Sequence, residues 1–202
     1  SILPKELVKL SEEMIESEIG KDVLIFEQTQ RRSLMITTDS VCDLPESLKK
    51  EFDISVCPYY VYTEEGRFLD ELELKADELL SHIAMGKNGY SQAPDVEDYE
   101  RFFAQKLTEA QNIIHITMAR HTSQGYANAL EAAKSFENVT VLDSGHLSSS
   151  MGLSVLYAAY MAEHHASKEE IVGTVKRLRR YISSAFIIQD ADSMCQAGQV
   201  SR

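Results

Sequence analysis

The sequence predicts an α/β fold: a mostly parallel sheet covered by helices on both faces. Three observations carry this. Short β-branched apolar runs, such as Ile113, Ile114 and Ile116, are too brief for helices and read as covered strands. They alternate with longer segments whose apolar residues recur at helical spacing, the order of strand-helix-strand units joined by right-handed crossovers. Several strand runs also end in polar turns, which this architecture places at the strand C-terminal edge, where ligands sit.

Residues 4–19 put Leu7, Leu10, Met14 and Ile15 on one stripe with acids opposite and Gly20 as a stop, an amphipathic helix. Residues 23–26 are a strand candidate and 28–33 a polar linker. Residues 1–33 are therefore expected to be a helix and linker from a preceding domain, and 34–202 the α/β domain. Residues 34–37 are its first strand. The loop TDSVCDLP at 38–45 follows, with Asp43 expected to cap a helix whose first turn holds Pro45. Residues 54–61 read as a strand with Pro58 inside, which favours an edge or a strand start at that point. After the acidic stretch EEGRFLDELEL comes a helix at 76–85 with Leu79, Leu80 and Ile83 inward. YSQAPD then reads as a helix-to-helix connection, and Asp95 caps a helix burying Tyr99, Phe102 and Phe103.

The central unit is IIHITMARHTSQGYANA. Its strand gives way to helical spacing at Tyr126, Ala129, Leu130 and Ala133, so Ser123 is the expected N-cap and the helix is expected to begin there. Free N–H groups of that first turn point outward and can hold a carboxylate or phosphate; the plainer alternative is a serine that only caps its helix. Residues 139–142 form the next strand, followed by DSGHLSSS and a helix at 149–164 with Leu153, Leu156, Ala159 and Tyr160 inward. Ser167 caps a further helix, 185–188 is a last strand, and ADSMCQAG begins a short helix.

With 32 acidic against 20 basic residues, the net charge of −12 repels nucleic acid phosphates and anionic head groups. No apolar run approaches the length of a bilayer span, and the start lacks a signal peptide pattern, so a cytoplasmic protein is expected. Cys42, Cys57 and Cys195 are far apart, which indicates reduced thiols rather than a disulfide framework or zinc site. Asp143, Ser144 and His146 are the ingredients of a hydrolase triad, but residues so close on one turn do not reach relay geometry, and G-x-S-x-G is absent. Asp143 and Ser144 are instead expected to cap the following helix. His82, His115, His164 and His165 are read as solvated or structural rather than metal ligands, and Asp39 and Asp43 as loop and cap structure.

These motifs together resemble the DegV family of bacterial fatty-acid-binding proteins. The likeness rests on TDS..DLP at 38–45, Ser91-Gln92, Ser123 with Tyr126 and Ala129, VLDS at 141–144, SMGL at 150–153 and the closing FIIQDADSMCQAGQVS, and it spans about 34–202. The resemblance implies a DegV-like first lobe with only the start of a second lobe. It also implies a long-chain fatty acid such as palmitate in a tunnel between two lobes, its carboxylate held by hydroxyls from a Thr-Ser-Gln and a Ser-Gly-Thr-Tyr motif. Ser123 matches the second motif, and Gln124-Gly125 stands where that motif has Gly-Thr. Tyr90 stands where the first has threonine, leaving Ser91 as a substitute donor. Ser40 is expected to reach the ligand, and Gln199 stands where the family has an arginine. Lys75, Arg120 or His121 are the cations that could restore charge near the site. The resemblance implies no catalysis, metal or further cofactor, and a fatty-acid kinase as the partner receiving the lipid. A second reading stays open, favoured by Tyr90 and Gln199: a diverged interaction or sensor module of a larger protein that no longer binds lipid.

Overall fold

The computed structural model describes residues 31–185. Its base is a four-stranded, wholly parallel sheet in the order β2-β1-β6-β7, formed by β1 (Met35–Asp39), β2 (Ser55–Cys57), β6 (Ile113–Thr117) and β7 (Val139–Asp143). Side chains alternate across it. Ile36, Ile114, Ile116 and Leu142 pack with Met151 and Val155 of α5 (Ser148–Glu163) and Ile171 and Val175 of α6 (Lys168–Leu178). On the other face Tyr99 and Phe103 of α3 (Val96–Leu107) and Ala129 and Ala132 of α4 (Gly125–Ala133) pack with Cys57, Val139 and Val141. The predicted α/β class, with helices on both faces of a parallel sheet, is thus the one observed. Each fully buried isoleucine or phenylalanine contributes about 1.5–3 kcal/mol, so this two-sided core is the rigid base from which the turns project.

The strand predicted at 54–61 is two strands in two sheets. β2 ends at Cys57, and β3 (Tyr60–Thr63) leads an antiparallel sheet of order β4-β3-β5, with β4 (Gly66–Leu69) and β5 (Gly89–Gln92). Pro58 has no N–H for a ladder, so the break falls there. YSQAPD is accordingly strand β5 and its exit, not a helix-to-helix connection. The helix expected at 76–85 is α2 (Ala76–Ala84), but Leu80 and Ile83 are exposed. In α5 the inward positions are Met151, Val155, Ala158 and Ala159, while Leu153 and Tyr160 face out.

α4 runs from Gly125, with Gln124 before it, but Gln124 already has helical backbone angles and the Ser123 Oγ accepts the Gly125 N–H two residues on, the bond expected of Ser123 as a cap. Two other predicted caps differ. The short helix α1 (Glu46–Glu51) has Pro45 as its N-cap; Asp43 is left-handed and closes the 3-10 turn Ser40–Cys42. Leu147 precedes α5, while Asp143 and Ser144 bond within their own turn to the N–H groups of Gly145 and His146. Asp95 and Ser167 do cap α3 and α6, accepting from the N–H groups of Asp98 and Glu170. The predicted helix at 4–19, the strand at 23–26, the predicted strand 185–188 beyond Ala185, the helix begun by ADSMCQAG, Cys195 and Gln199 lie outside the described residues.

Candidate functional site at the sheet edge

The turns after β1, β6 and β7 meet at the C-terminal edge of the parallel sheet. Arg120 N–H donates to Asp143 Oδ1 at 3.3 Å and Ala119 N–H donates to the His146 carbonyl at 2.8 Å, which fixes the β6 turn against the β7 turn. Gly152 lets α5 approach the β1 turn, since a methyl group there would stand 2.8 Å from the Cys42 carbonyl. That is the structural use of the SMGL motif.

Ser123 stands half-buried in the β6 turn. Its Oγ accepts from Gly125 N–H at 3.1 Å and lies 2.8 Å from the Tyr59 hydroxyl. Tyr59, between the two sheets and only 3% exposed, also donates its backbone N–H to Ser40 Oγ at 3.1 Å. One residue therefore bridges the two serines singled out from sequence. Its role was not predicted, because nothing local marks a tyrosine after Cys57-Pro58 as a partner of residues 19 and 64 positions away. Gly125 makes the approach feasible: a methyl group there would overlap the Tyr59 hydroxyl. Burial, with Asp39 close by, pushes the Tyr59 phenol far up, so it stays protonated.

Below this pair lies a buried polar group that the sequence reading took for loop and cap structure. Asp39 is fully buried and accepts from the Tyr99 hydroxyl at 2.7 Å, His115 Nε2 at 3.2 Å and Met118 N–H at 3.4 Å. His115, likewise buried rather than solvated, is held at Nδ1 by the Thr37 hydroxyl at 2.9 Å. Ser144 bonds to the His146 backbone, and the His146 ring turns toward the Arg179 carbonyl, so Asp143, Ser144 and His146 form no relay. Among the described residues no cluster of histidine, cysteine, aspartate or glutamate could hold a metal.

A cleft of about 520 Å³ opens beside the β1 turn, lined by Ser40, Leu44, Val56, Pro58, Leu72 and Lys75 among others. Its size falls in the range of small-molecule sites.

A family model described as "Uncharacterised protein, DegV family" matches residues 33–202. This chain belongs to the DegV family. A DegV domain-containing protein of Clostridium acetobutylicum is 31% identical over 173 residues, covering 84% of this chain and 62% of that protein. Among solved structures, a fatty-acid-binding DegV family protein from Thermus thermophilus superimposes with a TM-score of 0.69 at 29% identity, over 73% of this chain and 54% of that one. A protein from Thermotoga maritima, described as revealing fatty acid binding function, does so with a TM-score of 0.63 at 26% identity, over 73% and 55%. DegV from Bacillus subtilis, at 18% identity and a TM-score of 0.69, shares the fold over 74% and 54%. The chain thus spans about three fifths of the curated relative and about half of the solved DegV structures.

The remaining DegV-matched positions fall on β5. Tyr90 pairs with Tyr62 and stacks on it, centroids 4.9 Å apart, with the ring largely exposed. Ser91 pairs with Val61, so its side chain takes the opposite face of the small sheet. The exit of β5 is tied to α4, where Asn128 donates to the Pro94 carbonyl at 2.8 Å. No hydrogen bond among the described residues joins Tyr90 or Ser91 to Ser123. Of the expected cations, Lys75 lines the cleft, while Arg120 is drawn toward Asp143, 3.7 Å away, and toward His121 at 3.3 Å.

Proposed function

We propose that this chain binds a long-chain fatty acid such as palmitate without catalysing a reaction on it. The observation that carries the reading is the Ser40–Tyr59–Ser123 bridge at the sheet edge, where Tyr59 holds Ser40 by its backbone and Ser123 by its ring hydroxyl. Beside it lies the cleft, in which Leu44, Val56, Pro58 and Leu72 supply apolar surface among charged residues such as Asp43, Glu71 and Lys75. The fatty acids named for the Thermus and Thermotoga neighbours support it. In this reading Ser123 and the amide of Gln124 meet the carboxylate, Gly125 aims Ser123 by donating its own N–H to the Ser123 Oγ, Ser40 and Ser91 add hydroxyls, and Tyr90 lines the rim. Binding needs no nucleophile, because each buried methylene contributes roughly 0.8 kcal/mol while head-group donors mainly fix orientation. Residues 34–202 are the proposed DegV-like domain and 1–33 a helix and linker. Presentation of the acid to a fatty-acid kinase in the cytoplasm completes the proposal.

Native mass spectrometry of the purified chain should find a bound acyl chain, and palmitate should bind in calorimetry. Ser123→Ala should weaken palmitate binding by roughly three- to tenfold, the equivalent of one hydrogen bond, and should also lower the melting temperature, because it strips the buried Tyr59 hydroxyl of its partner; combining it with Tyr59→Phe should recover stability but not affinity. Affinity recovered together with stability in the double variant would make Ser123 purely structural. The second reading, an interaction or sensor module, is favoured by the Tyr62–Tyr90 stack, which engages the residue standing at the family's threonine. Failure of any acyl chain to copurify or bind would select it.

A further inference from the structure

We infer that Tyr59 is a specificity-determining residue that turns Ser123 into a one-way donor, selecting an acceptor-only head group over one that also donates. The inference rests on the proposed placement of the head group at Ser123. A serine hydroxyl carries one proton and two lone pairs. At Ser123 one lone pair takes the Gly125 N–H, at 3.1 Å. The contact with Tyr59 at 2.8 Å could run either way, and burial decides its direction. Tyr59 is 3% exposed, so its proton has little access to water, and among the described residues Ser123 is the only hydrogen-bond partner of its hydroxyl. The neighbouring Tyr99 hydroxyl spends its own proton on Asp39, and no hydrogen bond links the two phenols. Were Ser123 the donor, the Tyr59 proton would be buried without an acceptor, a cost of about 1–3 kcal/mol.

Tyr59 therefore donates and fills the second lone pair. The Ser123 proton is left as the one hydrogen-bonding function not spent inside the protein, on the half-buried side of the turn. A carboxylate is acceptor-only and suits that proton, and a charged acceptor gains about twice what a neutral one does. The donating phenol also polarises the serine O–H, which strengthens the outward bond. A hydroxyl head group, which must place its own proton, finds no free lone pair on Ser123.

The test compares palmitate with 1-hexadecanol on the full chain, before and after Tyr59→Phe, with Tyr99→Phe as the control. Removing the Tyr59 hydroxyl frees a Ser123 lone pair and lets its proton rotate. Palmitate affinity should fall roughly three- to tenfold while hexadecanol affinity holds or rises, so the acid-to-alcohol ratio drops. Tyr99→Phe removes a buried hydrogen bond to Asp39 but leaves Tyr59 donating, and should leave that ratio unchanged. An unchanged ratio in Tyr59→Phe, with palmitate still bound, overturns this inference and leaves the lipid reading standing. A ratio lowered equally by Tyr99→Phe overturns it too, since general loosening would then account for the effect. If the unaltered protein binds neither ligand, the lipid reading falls and this one with it.

Discussion

A carboxylate shut away from water must be solvated by the protein around it, and Asp39 is solvated by one phenol, one imidazole and one amide. This arrangement sits at the end of β1, below the turn that carries Ser40, and it ties β1 to α3 and β6. Its shortest bond comes from Tyr99, at 2.7 Å. Tyr99→Phe keeps the ring and removes only the donor, so it should cost about 1.5–3 kcal/mol in urea unfolding, the range for a hydrogen bond to a charged group. A loss under half a kcal/mol would mean that His115 and Met118 suffice. The aspartate was visible in TDSVCDLP from the start, but its role was not. Burial of a polar side chain depends on partners at positions 99, 115 and 118, which no local pattern connects to it.

At the scale of elements, what could be read from sequence divides by the range of the interaction that creates it. The cap of α3 needs only four consecutive residues, and it was legible: Asp95 accepts from Asp98 N–H at 2.8 Å, and Asp98 answers with a bond from Asp95 N–H at 3.1 Å. Asp95→Ala should cost about 1 kcal/mol and lower the melting temperature, with helix content otherwise intact. No measurable change would make the reciprocal bonds incidental to stability. The parallel strands were legible too, since β-branched runs buried on both faces need no partner to be recognised. The antiparallel sheet was not. Its strands are four residues each; β5 is exposed throughout and β4 is exposed over half its length, so these two carry little hydrophobic signal, and only pairing with β3, as across Tyr62 and Tyr90, reveals them. The serines of the candidate site were likewise found by motif, whereas the tyrosine joining them was missed because it lies in a different sheet's approach.

For the whole molecule, the buried acids that titrate latest set the alkaline limit. Burial pushes the phenols of Tyr59 and Tyr99 far up, each reinforced by the charge of Asp39, and it lifts Tyr60 to about 12, with a hydrogen bond to Asp98 adding to the effect. Burial also raises the Cys42 and Cys57 thiols, which are free and buried. In the unfolded chain these groups ionise near their ordinary values, so above about pH 9 the unfolded state sheds protons that the folded state keeps. Stability is therefore fully present below that pH and lost as pH climbs toward the folded values. The acidic side is shallower. Glu46, Glu65 and Glu170 are held below their usual range by Lys49, Lys87 and Ser167 respectively, but they sit on the surface, where water screens the gain. The net charge of −12 works in the same direction, since each new phenolate or thiolate adds to an already negative molecule. The melting temperature should stay level through neutral pH and fall steeply above about pH 9–10, with tyrosinate absorbance from the buried phenols appearing only as the chain unfolds. Tyrosinate signal from all the tyrosines before any loss of structure would contradict the burial of Tyr59 and Tyr99, and with it the geometry that aims Ser123 outward.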